Sequence, residues 1–233
     1  AGLLALFLTI LFVVKGTAMF PATAALAWAV LAYICVDFGF LNKVIEITPG
    51  NEQIWRAGTE IALAATLVVF LFAYLNLNRW HGHFSYGAIA WVLGLGAIAA
   101  LAVYNPAIAS GVARISFATT AVLGAVLIVY LSVRGYDRAI MLVPSWVMLL
   151  LWTAACWMTI SGRLDNDIIQ PALCGGLILV VLLIGFTVMQ HALSGGALHQ
   201  GLFSDMERRA LALAASGDIV WDWDVMRDKV TTR

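Results

Sequence analysis

Of 233 residues, 63% are apolar and 11% charged, against about 45–50% and about 25% in an average soluble domain; with a mean hydropathy of +0.95, the composition is that of a membrane protein. Thirteen basic residues balance thirteen acidic ones. The basic footprint of a nucleic-acid binder is therefore missing, and membrane lipids are the expected partners in place of nucleic acid.

The chain opens at Ala1-Gly2-Leu3-Leu4 without an initiator Met or a basic leader, which reads as a piece of a longer protein and not as a signal peptide. A helix crosses a hydrocarbon core of about 30 Å with about 20 apolar residues. The first apolar stretch, 1–14, is shorter and closes at Lys15-Gly16. Longer ones follow at about 19–36, 59–77, 86–104, 115–133, 139–160 and 169–189. The predicted fold is an all-α seven-transmembrane helix bundle.

Most connections are short, polar and turn-forming: Asn78-Arg79-Trp80, Asn105-Pro106, Arg134 to Arg138 and Ser161 to Asp165. The segment 37–57 differs. There Lys43 to Thr48 alternates, Pro49-Gly50 turns and Asn51 offers a helix N-cap, predicting a small extramembrane strand or hairpin. Loop charges leave the orientation open: Lys15, Arg79, Arg134 and Arg138 on one side face Lys43, Arg56, Arg114 and Arg163 on the other, a tie under the positive-inside rule. Arg208 and Arg209 tip it slightly toward a cytoplasmic C-terminus.

After Met189 the composition changes. Ser194-Gly195-Gly196 reads as a hinge, and Ser204-Asp205-Met206-Glu207 has the form of a capping box that starts a C-terminal signalling helix. Phe203, Met206, Ala210 and Leu213 repeat at 3-4-3 spacing, the step of a two-helix seam, although an ordinary amphipathic linker fits so short a run equally well. Past Ser216 the period becomes two, with Ile219, Trp221, Trp223 and Val225 on one strand face and the run 226–229 as a turn.

The run GDIVWDWDVMRDKVTT at 217–232 resembles the opening β-hairpin of a PAS domain, with Trp221 and Trp223 as first-strand core, and ERRALALAAS before it is similar to the connectors that lead into such domains. Seven apolar helices ahead of that tail resemble the bacterial seven-transmembrane receptors with diverse intracellular signalling modules. That likeness covers nearly the whole chain but rests on architecture, since the helices carry no sharp motif. It implies a sensor at 1–189, a cytoplasmic linker and signalling helix at 190–216 and a truncated PAS domain at 217–233, with the N-terminus outside the inner membrane and the C-terminus in the cytoplasm. A homodimer through the linker helix is expected where the 3-4-3 run of Phe203, Met206, Ala210 and Leu213 forms a seam. The implied output, outside this chain, is cyclic di-GMP turnover by GGDEF or EAL domains, or a histidine kinase; neither GGDEF nor EAL signature occurs here, so no catalytic residue is assigned.

Candidate sites are few. Glu60 is expected near the outer start of the third helix, where the helix dipole favours an anion. A pairing or ligand role with Arg114, at the same expected depth, is the alternative. Cys35, Cys156 and Cys174 lie in no metal or redox spacing and read as small packed thiols. His81 and His83 lack the further ligands a metal needs, and His191 and His199 read as linker residues, so neither metal nor cofactor is expected in this chain. Trp146 and Trp157 are expected on one face of the sixth helix with Trp152 on another, favouring packing over an aromatic cage, and Pro144 is a candidate pivot in the same helix. Retinal chemistry is excluded because Lys15, Lys43 and Lys229, the only lysines, all fall outside the apolar spans. The stimulus is unidentified. A sensor is favoured over a small transporter or channel subunit, which predicts charged midplane residues and broken helices, and over a membrane part that only anchors and dimerises its output.

Overall fold

A computed structural model describes residues 2–15, 18–40, 51–77, 82–163, 166, 168–216, 221–224 and 229–232. Seven helices among these residues follow in order: α1 (Gly2–Lys15), α2 (Met19–Asp37), α3 (Glu52–Leu75), α4 (Gly82–Leu101), α5 (Pro106–Val133), α6 (Asp137–Ile160) and α7 (Ile169–Ser216). The chain divides into two compact units, 1–189 and 190–233.

In the first unit α3 is central and packs on α2, α4, α5 and α6, while α1 packs on α2 and α5 on α6. In a bilayer the lipid solvates apolar side chains as well as a protein core does, so helices associate through close approach and interhelical hydrogen bonds. Both devices are present. At Gly124 of α5 an added Cβ would lie 2.4 Å from Cζ2 of Trp146 on α6, and the Trp146 indole N–H donates to the Ala121 carbonyl at 2.8 Å. Helix α6 is tied to α7 by the buried Ser145–Thr187 hydroxyl pair at 3.0 Å and by the Trp152 indole N–H on the Leu173 carbonyl at 2.7 Å. Trp91 of α4 donates to Ser116 of α5 at 2.7 Å. Outward, Leu93, Val122, Val126 and Val129 are exposed, as expected of lipid-facing positions.

The helix ends follow local chemistry. Asn105 caps α5 by accepting from the Ile108 N–H at 3.3 Å, with Pro106 in the first turn. That cap starts α5 nine residues before Ile115, the expected beginning of its span. Helix α3 likewise begins at Glu52, seven residues before Thr59. At its other end Asn76 takes the left-handed conformation, φ 51°, and the last carbonyls receive the Tyr136 hydroxyl on Leu75 (3.2 Å) and the Arg138 guanidinium on Tyr74 (3.3 Å).

The expected fold class is corrected on two counts. Among the described residues six helices, α2 to α7, contain segments long and apolar enough to span a membrane; the 14 described residues of α1 reach about 21 Å at about 1.5 Å per residue, short of the ~30 Å core. Nor is a PAS β-hairpin present among the described residues. Residues 221–224 and 229–232 pair as a bare antiparallel ladder, Trp221 opposite Thr232 and Asp224 opposite Lys229, and the expected turn lies mostly outside the described residues. Alternation specifies extended backbone but not a PAS sheet, and two strands are below what stands alone. The class is an all-helical membrane bundle.

The expected break between span and signalling helix is also absent, because 169–216 is helical throughout. Ser194-Gly195-Gly196 and Ser204 are helix interior, and the Ser204 capping box does not start a helix. Glycine costs about 1 kcal/mol in a helix, too little to end one. The strand expected at 43–48 lies outside the described residues. So does the side-chain placement of Phe203, Met206, Ala210, Leu213, Trp221 and Trp223.

Candidate functional site

The ends of α2 and α6 and the starts of α3, α5 and α7 converge on a group of polar side chains. The early helix starts put them there. Glu60 stands eight residues past Glu52 and Arg114 eight past Pro106, so both lie about 12 Å along their helices at ~1.5 Å per residue. Glu60 is thus beyond the first turn, where the dipole acts; the expected capping role does not apply. A carboxylate at that depth costs several kcal/mol unless neutralised and hydrogen-bonded.

Both requirements are met by cross-helix partners. The Arg114 Nε donates to both Glu60 oxygens at 3.2 and 3.1 Å and its Nη2 to Oε1 at 2.8 Å. Ser110, one turn before Arg114, donates its hydroxyl to Glu60 Oε2. Arg56, one turn before Glu60, places Nε 3.8 Å from Oε1, while its Nη2 donates to Oδ1 of Asp37 at 2.9 Å. Asp37 Oδ2 accepts from the Gln170 amide at 3.0 Å and from the Cys174 thiol at 3.6 Å. Asp37, the last residue of α2, therefore joins α2 to α3 and to the start of α7.

The four charges cancel in sum but not in position. The side chains of Asp37 and Glu60 are 5% and 6% exposed, whereas those of Arg56 and Arg114 are 48% and 44% exposed. Beside them lies a cavity of about 400 Å³. All four charged residues line it, with Leu63, Phe117, Trp152, Trp157 and Ile160 among its apolar walls. Trp152 is held edge-on to Phe117 at 5.7 Å between ring centroids.

The structure thus brings Glu60 and Arg114 together. Asp37, Ser110 and Gln170 are additions that the sequence reading did not single out, and Arg56, counted there as a loop charge, and Cys174, read there as a packed thiol, join them. One signal for them exists: Arg56/Glu60 and Ser110/Arg114 are each four apart, the spacing of neighbours on a helix face. Trp146 and Trp157 differ in environment, 2% against 64% exposed, while Trp152 and Trp157, expected on different faces, both line the cavity. Pro144 stands inside α6 next to Ser145, outside this cluster. Among the described residues no group of three or more His, Cys, Asp or Glu side chains is placed to hold a metal.

A family model described as 7TM diverse intracellular signalling matches residues 1–192. No curated protein and no solved structure matches the chain.

Proposed function

We infer the function from one premise: this chain belongs to the 7TM diverse intracellular signalling family, and is accordingly a multi-pass membrane sensory domain of a signalling protein. We propose that the stimulus acts at the Asp37–Arg56–Glu60–Arg114 cluster and that its effect leaves the membrane along α7. The observation that carries this reading is Asp37. It is bound at once by Arg56 of α3 and by Gln170 and Cys174 of α7, the helix that runs on to Ser216. A change in the grip of Arg56 on Asp37 alters the seating of α7 on α2. An equilibrium of two seatings, biased by whatever binds one better, is what transmission requires.

In the proposed assembly the cluster faces outward, the C-terminus is cytoplasmic and the membrane is the bacterial inner membrane. Ion pairing inside the bundle takes Arg56 and Arg114 out of the loop count. That leaves Lys43 and Arg163 outside against Lys15, Arg79, Arg134 and Arg138 inside, which supports this orientation. The linker helix is proposed to dimerise through Phe203, Met206, Ala210 and Leu213, and the output to be cyclic di-GMP turnover by domains outside this chain.

Asp37→Asn in the full-length protein tests the reading. The isosteric amide keeps the shape but loses the charge that Arg56 pairs with, and a shift of about 1 kcal/mol between two seatings changes their ratio about fivefold. Cellular cyclic di-GMP, or the output activity of the purified protein, should change several-fold. Wild-type output from Asp37→Asn and from Arg56→Gln, with normal membrane levels, would refute it. Unchanged regulation after replacement of 1–189 by unrelated helices would leave anchoring as the whole role.

A further inference from the structure

We propose that the 400 Å³ cavity binds an amphipathic molecule with an anionic carboxylate or phosphate head and an apolar body, its head clasped by Arg56 and Arg114. The inference rests on the reading of this cluster as the stimulus site and adds the chemical class of the ligand.

Unspent hydrogen-bonding capacity decides the polarity of the head. Glu60 accepts from Arg114 three times and from Ser110, and Asp37 accepts from Arg56, Gln170 and Cys174. With about four lone-pair sites on a carboxylate, both acceptors are nearly saturated, and both are 5–6% exposed. The guanidinium groups are in the opposite condition. The hydrogen bonds above use Nε and Nη2 of Arg114 and Nη2 of Arg56, with Arg56 Nε 3.8 Å from Glu60, and among the described residues neither Nη1 has a hydrogen-bond partner. Each arginine is also about half exposed. The cluster therefore offers donors and positive charge to the cavity and hides its negative charge behind them. A cation would meet two half-exposed guanidinium groups before either buried carboxylate and be repelled, whereas an anionic oxyacid head meets the guanidinium fork directly.

The rest of the cavity decides the body. Phe117, Trp152 and Ile160 supply rings and branched aliphatic surface, and a volume of about 400 Å³ is within the ~300–1,000 Å³ range of small-molecule pockets, mostly apolar with few polar groups that fix orientation. A hydrophilic anion would leave those walls unsatisfied. An anion with an apolar body fills both halves. As its head takes a share of Arg56 it loosens the α3–α2 tie at Asp37, the same carboxylate on which Gln170 and Cys174 seat α7, so ligand chemistry and transmission share one side chain.

The test uses the full-length protein in phosphatidylcholine nanodiscs, with bromine-labelled decanoate as the probe and quenching of tryptophan fluorescence as the readout. Decanol and decyltrimethylammonium provide the same body with a neutral and a cationic head. Expected is saturable quenching by decanoate, at least tenfold tighter than by either control, reduced by Trp152→Phe or Trp157→Phe and weakened at least tenfold by Arg56→Gln. Arg56 lies at the exposed edge of the cluster, and an unshifted melting temperature will show that this variant is folded; Arg56→Lys, which keeps charge but not the fork, should fall between. If phosphatidylglycerol discs block the decanoate response, the same chemistry is supplied by a bilayer lipid and the proposal stands with that source. Quenching that never saturates, ignores head charge and is equal in Arg56→Gln overturns it. Should decanoate fail while Asp37→Asn still changes output, only the ligand class falls and the stimulus site stays.

Discussion

A double-mutant cycle on Glu60 and Arg114 probes whether the cluster holds the bundle or merely decorates it. Removing one member of a fully buried ion pair costs about 3–5 kcal/mol, because the other charge is left uncompensated. Glu60 meets that condition at 6% exposure, but Arg114 is 44% exposed, so water reaches part of the pair and roughly half the full cost applies. Arg114→Gln should therefore destabilise by about 2 kcal/mol, moderated by the Ser110 hydroxyl that still donates to the carboxylate. Glu60→Gln should cost about 1–2 kcal/mol, and the double variant about as much as Arg114→Gln alone, since two amides can bond across the same gap.

The coupling energy is then about 1–2 kcal/mol, above the mean of about 0.6 kcal/mol measured between neutral interhelical partners in a membrane protein. The assay is reversible unfolding of the purified protein in mixed micelles, titrated with a denaturing detergent and followed by circular dichroism. Additivity within about 0.5 kcal/mol, the behaviour of independent sites, would show that the three N–H contacts to Glu60 are energetically empty and would refute the account of α3–α5 association.

Gly124→Ala should destabilise by about 1–3 kcal/mol through overpacking, since the new methyl meets a Trp146 ring already fixed by its bond to Ala121; Gly94→Ala, with nothing within 4 Å, should be neutral or stabilising by up to about 1 kcal/mol, both read as melting temperatures. Pro144→Ala returns a donor to the Ile140 carbonyl one turn back. If Pro144 is the pivot of α6, the variant will melt higher while its output becomes insensitive to Asp37→Asn; retained sensitivity would dismiss the pivot. For the proposed dimer seam, Met206→Cys should cross-link under mild oxidation in membranes at least several-fold faster than Arg208→Cys, and equal rates would remove the seam.

What the amino-acid pattern discloses and what it hides have physical causes. A bilayer demands an uninterrupted apolar length, so the spans α2 to α7 can be read from composition runs, to within a residue or two at Met19 and Asp137. It does not demand that a helix stop where the apolar run stops. Helix α3 continues to Glu52 and α5 to Pro106, and the polar residues of their early turns find partners on neighbouring helices. Reading those turns as loops placed Glu60 at a helix start, made Arg56 a loop charge and left Asp37 and Ser110 unconsidered. Spacing of four reveals which residues share one helix face; it is blind to the neighbouring helix. The tryptophans teach the same lesson. One face of α6 is covered at Trp146 and open at Trp157, and periodicity carries no information about depth.

The attachments of α7 restrict how a signal can leave the bundle. Toward α6 it is tied at Leu173 and at Thr187, 14 residues and about 21 Å apart at ~1.5 Å per residue, so those two helices should move as one body. Toward α2 the described hydrogen bonds are those of Gln170 and Cys174 to Asp37. Loosening Arg56 therefore leaves the α6 attachments intact and acts on the contact where α7 meets α2. The proposed motion is then a rocking of the α6–α7 pair against α2 and α3. Such a motion asks little of the α7 backbone and places any bending in α6, beside the Ser145–Thr187 bond, where Pro144 has already removed one rung of the helix.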